Sequence, residues 1–174
     1  MKNNKLLMMT LLCTVLAVGC SKGSEQGGET GETSPKQIIT KIQETLSKAY
    51  DMPLEDGVLS GYFLTDMTNE EEMLMYEGIF NSEDIKSGYI LQPMMNVKSE
   101  LIIVAEAKDA ESTGNIKASY EKVLSDQDTM WSRYLPDQYE LVKANKIQTQ
   151  GNYVLYVTSE QVEEIVKVFE EQVK

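Results

Sequence analysis

Chemistry of recognition gathers in one stretch of the chain, Met130 to Leu141, MWSRYLPDQYEL. It holds the only Trp, the only Arg, one of four Pro and two of nine Tyr. Trp131, Tyr134 and Tyr139 with Arg133 are residue types that stack on sugars or hold a cation over a ring face. The same residues have a structural use. Trp131 and Tyr134 are three apart, which is helical spacing, and Pro136 stops a helix and fixes the turn after it. Arg133 near a helix C-terminus suits the dipole, and burial is the commonest use of aromatics. The structural use is favoured, and Trp131, Arg133, Tyr134 and Tyr139 stand as the candidate ligand or partner surface.

Other reactive types are scarce. The chain has no His. That removes Ser-His-Asp and Cys-His catalysis, His-ligated zinc and histidine pH switches. Both cysteines, Cys13 and Cys20, lie in the first twenty residues, so the rest has no disulfide framework, thiolate metal site or Cys nucleophile. The acidic runs NEEE (69–72) and SDQDT (125–129) supply oxygen ligands for Ca²⁺ but lack the Asp-rich loop with a central Gly of an EF-hand. They read as solvated helix faces, and no metal or cofactor is expected. Paired carboxylates could run glycoside hydrolysis, but 28 acidic residues guarantee pairs somewhere. No phosphate loop or nucleophile elbow is present, and no catalytic residue is assigned. Adjacent methionines, Met73/Met75 and Met94/Met95, offer thioethers to Cu(I) or an adaptable partner surface; filling gaps in the core is the expected use.

The elements that must position these residues begin with an address. Lys2 and Lys5 precede an apolar run, Leu6 to Val18, and small residues ending in Gly19-Cys20. This is the layout of a secretory signal, too short to span a bilayer comfortably. LAVGC resembles a bacterial lipobox, with Ala17 where Leu is usual and Leu16 one place further out. The resemblance implies a signal peptide over 1–19 and lipidation of Cys20, which would anchor the protein to the membrane. Loss of residues 1–19 leaves 14 basic against 28 acidic residues, a net charge of −14. Such a balance argues against nucleic acid as a partner and against lying flat on anionic lipid. Residues 20–34 carry the lipidated Cys and a Gly/Ser/Glu tether that cannot bury enough apolar surface to order itself, with an r.m.s. span of roughly 20 Å.

Residues 35–174 read as a single α+β domain. Ser34 and Pro35 form a helix start, and Ile38, Ile39, Ile42, Leu46 and Ala49 form the stripe of a helix ending near Tyr50. Residues 51–87 are ambiguous. VLSGYFLTD suits a strand or an extended loop. MTNEEEMLMYEGIF suits a short helix that buries Met73, Leu74 and Tyr76, and NSEDIKSG suits a turn or short helix. YILQPMM and ELIIVAEA read as strands, with Pro93 placing the first at an edge or bulge. A helix from Ser112 to Tyr134 carries the stripe Ile116, Tyr120, Val123, Leu124, Met130, Trp131 and Tyr134, interrupted by Gln127. PDQYELV forms a helical turn, and NKIQTQ and YVLYVTS a hairpin through Gly151-Asn152. A last helix, capped by Thr158 or Ser159, buries Val162, Ile165, Val166, Phe169 and Val173. The order predicts an antiparallel four-stranded sheet with helices packed on one face, strand-strand-helix twice, plus an N-terminal helix.

The C-terminal half also resembles a family. Tyr134-x-Pro136-x-Gln138-Tyr139, then Leu141, Asn145, Ile147 and Gly151-Asn152-Tyr153-Val154, follow a strand and a long helix. The pattern resembles small lipoproteins of Gram-positive, clostridia-type bacteria that are catalogued only as a domain of unknown function, over roughly 88–174. The resemblance implies an extracytoplasmic lipoprotein with an α+β domain and carries over no catalytic residue. The expected function is a non-catalytic interaction or scaffold module, lipid-anchored at the extracytoplasmic face of the cell membrane, with a protein partner in the envelope. The alternative is binding of a small ligand or cell-wall fragment, and behind both stands a carboxylate-based hydrolase.

Overall fold

A computed structural model describes residues 33–174. The expected signal peptide, Cys20 and the expected tether up to residue 32 lie outside the described residues.

Helix α1, Pro35–Tyr50, starts as its sequence dictates. The Ser34 hydroxyl accepts the Gln37 N–H (3.3 Å), and the Gln37 side chain accepts the Ser34 N–H (3.0 Å). This capping box satisfies two donors that the first turn leaves orphaned. Asp51 ends the helix in the left-handed region, at φ 52°. A small hairpin follows, β1 (Leu54–Glu55) and β2 (Val58–Leu59). Buried Gln43 ties it to α1, accepting the Leu59 N–H (2.9 Å) and donating to the Gly57 carbonyl (3.3 Å).

The rest of the chain builds β3 (Tyr62–Asp66), a 3₁₀ turn (Glu72–Tyr76), β4 (Ile85–Pro93), β5 (Leu101–Ala107), α2 (Ala110–Trp131), α3 (Pro136–Lys143), β6 (Lys146–Gln150), β7 (Tyr153–Thr158) and α4 (Val162–Gln172). The five longer strands form one antiparallel sheet in the order β3-β4-β5-β7-β6. The expected four-stranded sheet therefore gains a fifth strand, because YFLTD pairs along β4 rather than looping.

Helices cover both faces of this sheet, not one. Successive strand residues point to opposite sides. Leu91, Ile102, Val104, Leu155 and Val157 pack with Ile38, Ile42 and Leu46 of α1 and Ile165 and Phe169 of α4. Ile90, Ile103, Ala105, Val154 and Tyr156 pack with Ile116, Tyr120 and Val123 of α2. The central strands are apolar at almost every position because both faces are buried. On the α2 side, Tyr120 is fully buried, edge-on to Phe80 and Tyr156, and its hydroxyl has no partner among the described residues.

Several local expectations change. Pro93 does not mark an edge: β4 lies inside the sheet, and Pro93 is its last residue, beyond the segment paired with β5. NSEDIKSG becomes a turn followed by the first strand residues, from Ile85. The Glu-rich segment makes a 3₁₀ turn, and Leu74 is exposed. Helix α2 stops at Trp131, so Arg133 and Tyr134 lie past its end, and Met130 faces solvent. Neither Thr158 nor Ser159 caps α4, whose N-cap is Gln161. Nor do the methionines mainly fill the core: Met67 is buried, whereas Met75, Met94, Met95 and Met130 are exposed. Among the described residues no helix is long and apolar enough to cross a membrane, and no group of three or more acidic, His or Cys side chains is placed to hold a metal ion.

Candidate functional site

The sequence-predicted surface does not assemble into a cleft. Trp131 is only 4% exposed and packs at a tilt against Tyr134, ring centroids 5.7 Å apart. Tyr134 is exposed, Arg133 lies on the surface, and the Tyr139 hydroxyl donates to Asp128 (2.8 Å). None of the four lines the cavity described next.

That cavity holds about 300 Å³ and opens at the end of the sheet where β5 begins and β7 ends. Its walls come from well-separated regions of chain. Tyr50 and Met52 sit at the end of α1, Tyr62 at the start of β3, Pro93 at the end of β4 with Met94 and Met95 just after it, and Leu141 on α3. Met94 and Met95, 55% and 60% exposed, form the mouth. At the base lies Glu100, the residue before β5, only 8% exposed.

Glu100 collects three hydroxyl donors from distant parts of the chain. Tyr50 donates to Oε1 at 2.8 Å, Ser159 donates to the same oxygen, and Tyr62 donates to Oε2. Tyr50 and Ser159 are 3.3 Å apart, and the Gln161 N–H donates to Ser159 (3.0 Å). Burial first, and then the neighbouring Glu100 carboxylate, push the Tyr50 hydroxyl well above the usual phenol range. Burial and the hydrogen bond to Glu100 do the same for Tyr62. Both phenols stay protonated as donors. No Lys or Arg among the described residues forms an ion pair with Glu100. Lys98 at the rim lies 3.9 Å from Glu160 instead.

The backbone that carries Glu100 is held by residues that the sequence did single out. Ser99 donates its N–H to the Gln138 side chain (2.8 Å) and its hydroxyl to the Gln138 carbonyl (2.9 Å). The Ser99 carbonyl accepts from Gln127 (3.0 Å). Gln127 in turn accepts from Tyr156 (2.8 Å) and Thr158 (3.0 Å). Asn145 donates to the Val157 carbonyl (2.8 Å) and to Thr158 (3.1 Å). The interruption of the α2 stripe at Gln127 is thus a part-buried polar link, and Gln138 and Asn145 of the family pattern dock α3 and β6 onto the strand ends that frame the cavity. Glu100, Tyr50, Tyr62 and Ser159 themselves went unrecognised. The available signal was an acidic residue set directly against the apolar run LIIVA.

A second cleft of about 400 Å³ lies beside the 3₁₀ turn, between Met67, Met73, Phe80 and Ile85. Its two carboxylates, Glu70 and Glu77, are exposed, so it lacks a buried charge. At the opposite end of the sheet from Glu100, Thr33 bonds the domain: its hydroxyl donates to the Gln172 carbonyl (2.6 Å), and its carbonyl accepts from Tyr153. Tyr153 pairs with Glu106 near the far end of β5. At about 3.3 Å per residue, that strand separates Thr33 from the cavity by roughly 20 Å.

A family model described as a domain of unknown function (DUF4358) matches residues 62–159. The match runs from Tyr62 to Ser159 and includes Glu100, while Tyr50 lies outside it. No curated protein and no solved structure matches the chain.

Proposed function

The chain belongs to this family of domains of unknown function, and we propose that it is a non-catalytic binding module, anchored by lipid on Cys20 at the extracytoplasmic face of the membrane, whose binding site is the cavity over Glu100. The observation that carries the reading is the cavity itself: apolar walls and a mobile-chained methionine mouth around one buried carboxylate. Small-molecule sites are concave, mostly apolar and equipped with a few placed polar groups, in volumes of roughly 300–1,000 Å³. Methionine adapts its shape to apolar partners, which suits an exposed mouth better than a structural seam. The protonated phenols and the saturated Ser159 hydroxyl serve as a lock on Glu100 and are poor nucleophiles or bases, which favours binding over catalysis. Thr33, where the segment from Cys20 joins the domain, lies at the other end of the sheet, so the mouth is presented away from the attachment point.

Two measurements test this reading. Metabolic labelling with a lipid precursor should mark the wild type and spare Cys20→Ala; label on the variant, or none on wild type, removes the anchor. A thermal-shift screen of small solutes against the full chain should find binders whose stabilisation disappears in Leu141→Trp, which fills the cavity wall. Binders that stabilise both proteins equally would place the site elsewhere.

A further inference from the structure

We infer that the cavity over Glu100 selects a ligand with a protonated amine on an apolar body, the ammonium N–H groups bonding at Glu100 and the two tyrosine oxygens. This rests on the binding reading above and adds the chemistry of the occupant.

Proton accounting carries the inference. A hydroxyl has one proton to give, and Tyr50, Tyr62 and Ser159 each spend theirs on Glu100. What remains around the carboxylate is acceptor capacity only. An ionised carboxylate has about four lone-pair positions. Three are used, two on Oε1 and one on Oε2, so Oε2 keeps one. The tyrosine oxygens keep lone pairs as well, and both tyrosines line the cavity. At the carboxylate itself a group without N–H or O–H finds no donor and a second acceptor is repelled; the other polar side chains of the lining, Lys98 and Gln138, lie against Glu160 and Ser99.

Charge points the same way. A buried carboxylate is normally paired with a cation, and Glu100 has none among the described residues. Hydroxyl donors stabilise the charge without neutralising it. The rim adds Glu160 and Lys98, which lie 3.9 Å apart and largely offset one another. An ammonium ion supplies the missing positive charge and fits the remaining acceptors. A ligand carboxylate would meet Glu100 unscreened. The walls of Met52, Pro93, Met94 and Leu141 then require an apolar body.

The test uses four probes of one shape: benzylammonium, benzyltrimethylammonium, benzyl alcohol and phenylacetate. The full chain carries ¹³C-methyl methionine, and the methyl signals of Met52, Met94 and Met95 report the cavity, with Met130 as the outside reference. Benzylammonium should shift the three cavity methyls saturably and leave Met130 still. It should bind tighter than benzyl alcohol by roughly ten- to a hundredfold, the factor for one charge-assisted hydrogen bond. Phenylacetate should not bind, and benzyltrimethylammonium should be weaker than benzylammonium. Glu100→Gln should erase the preference for the amine over the alcohol. Equal binding of amine and alcohol overturns the inference while leaving the cavity as the binding site. Equal binding of the trimethyl probe overturns the donor requirement. No cavity shift with any probe overturns both the inference and the site.

Discussion

Replacing Glu100 with Ala removes the acceptor shared by three hydroxyls, and the structure sets the size of the loss. Tyr62, only 8% exposed, is left with an unmet donor, and buried Ser159 keeps only the Tyr50 oxygen at 3.3 Å; Tyr50 borders the open cavity and can turn to water. A buried unsatisfied hydroxyl costs about 1–3 kcal/mol. The unmet Tyr62 hydroxyl and the lost Ser159 hydrogen bond, with partial relief from no longer burying a charge, give a net destabilisation of about 2–4 kcal/mol. For a domain of this size that lowers Tm by roughly 4–16 °C. Glu100→Gln keeps one oxygen for Tyr50 and Ser159, and its amide can donate to the Tyr62 oxygen, so it should cost about 1 kcal/mol. Urea unfolding of the full chain, followed by far-UV circular dichroism, measures both, and the m-value should stay constant. If Glu100→Ala falls within about 0.5 kcal/mol of wild type, or if Gln costs as much as Ala, the hydroxyl lock is wrong.

Three further outcomes follow from the core. Tyr120→Phe removes a buried hydroxyl that has no partner among the described residues and should stabilise the domain by about 1 kcal/mol in the same assay; destabilisation would mean that the hydroxyl is satisfied. Gly88→Ala puts a Cβ 2.7 Å from Met67 Sδ and 3.0 Å from the Val104 carbonyl, and this overpacking should cost about 1–3 kcal/mol; a neutral result would show that the sheet yields there. Burial pushes Tyr76 and Tyr156 up to about 12, against about 10 in the unfolded chain. Because the folded value is the higher one, their contribution is complete below about pH 10 and is lost as pH rises through about 12. The urea midpoint should hold from about pH 8 to 10 and then fall, less steeply in Tyr156→Phe; a midpoint unchanged near pH 12 would contradict the burial of these phenols.

Local signals in the sequence carried much of this architecture. Ser34, Pro35 and Gln37 lie close together in the chain, and capping depends on such neighbours alone. The Gly151-Asn152 hairpin and the short helix at Pro136 were legible for the same reason. The layering was not read correctly, although LIIVA and VLYV are nearly continuous apolar runs. Runs of that kind mark strands buried on both faces, whereas helices on one face would leave alternate positions polar. The fifth strand was ambiguous because YFLTD is short and gains its identity from pairing with β4. The site was hidden for a related reason. Tyr50, Tyr62, Glu100 and Ser159 are spread over more than a hundred positions, and only the fold brings them together. Met94 and Met95 looked like core filling because apolarity alone cannot tell a core from a binding surface.

The central claim, that the cavity over Glu100 is where this protein binds, is tested most directly by photo-crosslinking from two exposed methionine positions. Met94 lies at the mouth, and Met130, exposed on the last turn of α2, does not line the cavity. With a photoreactive residue at either place in the full chain expressed in cells, a discrete adduct should form from position 94. It should be absent from position 130 and lost from position 94 when Leu141→Trp fills the wall. The same adducts from both positions, or an adduct at 94 that survives Leu141→Trp, would contradict the account.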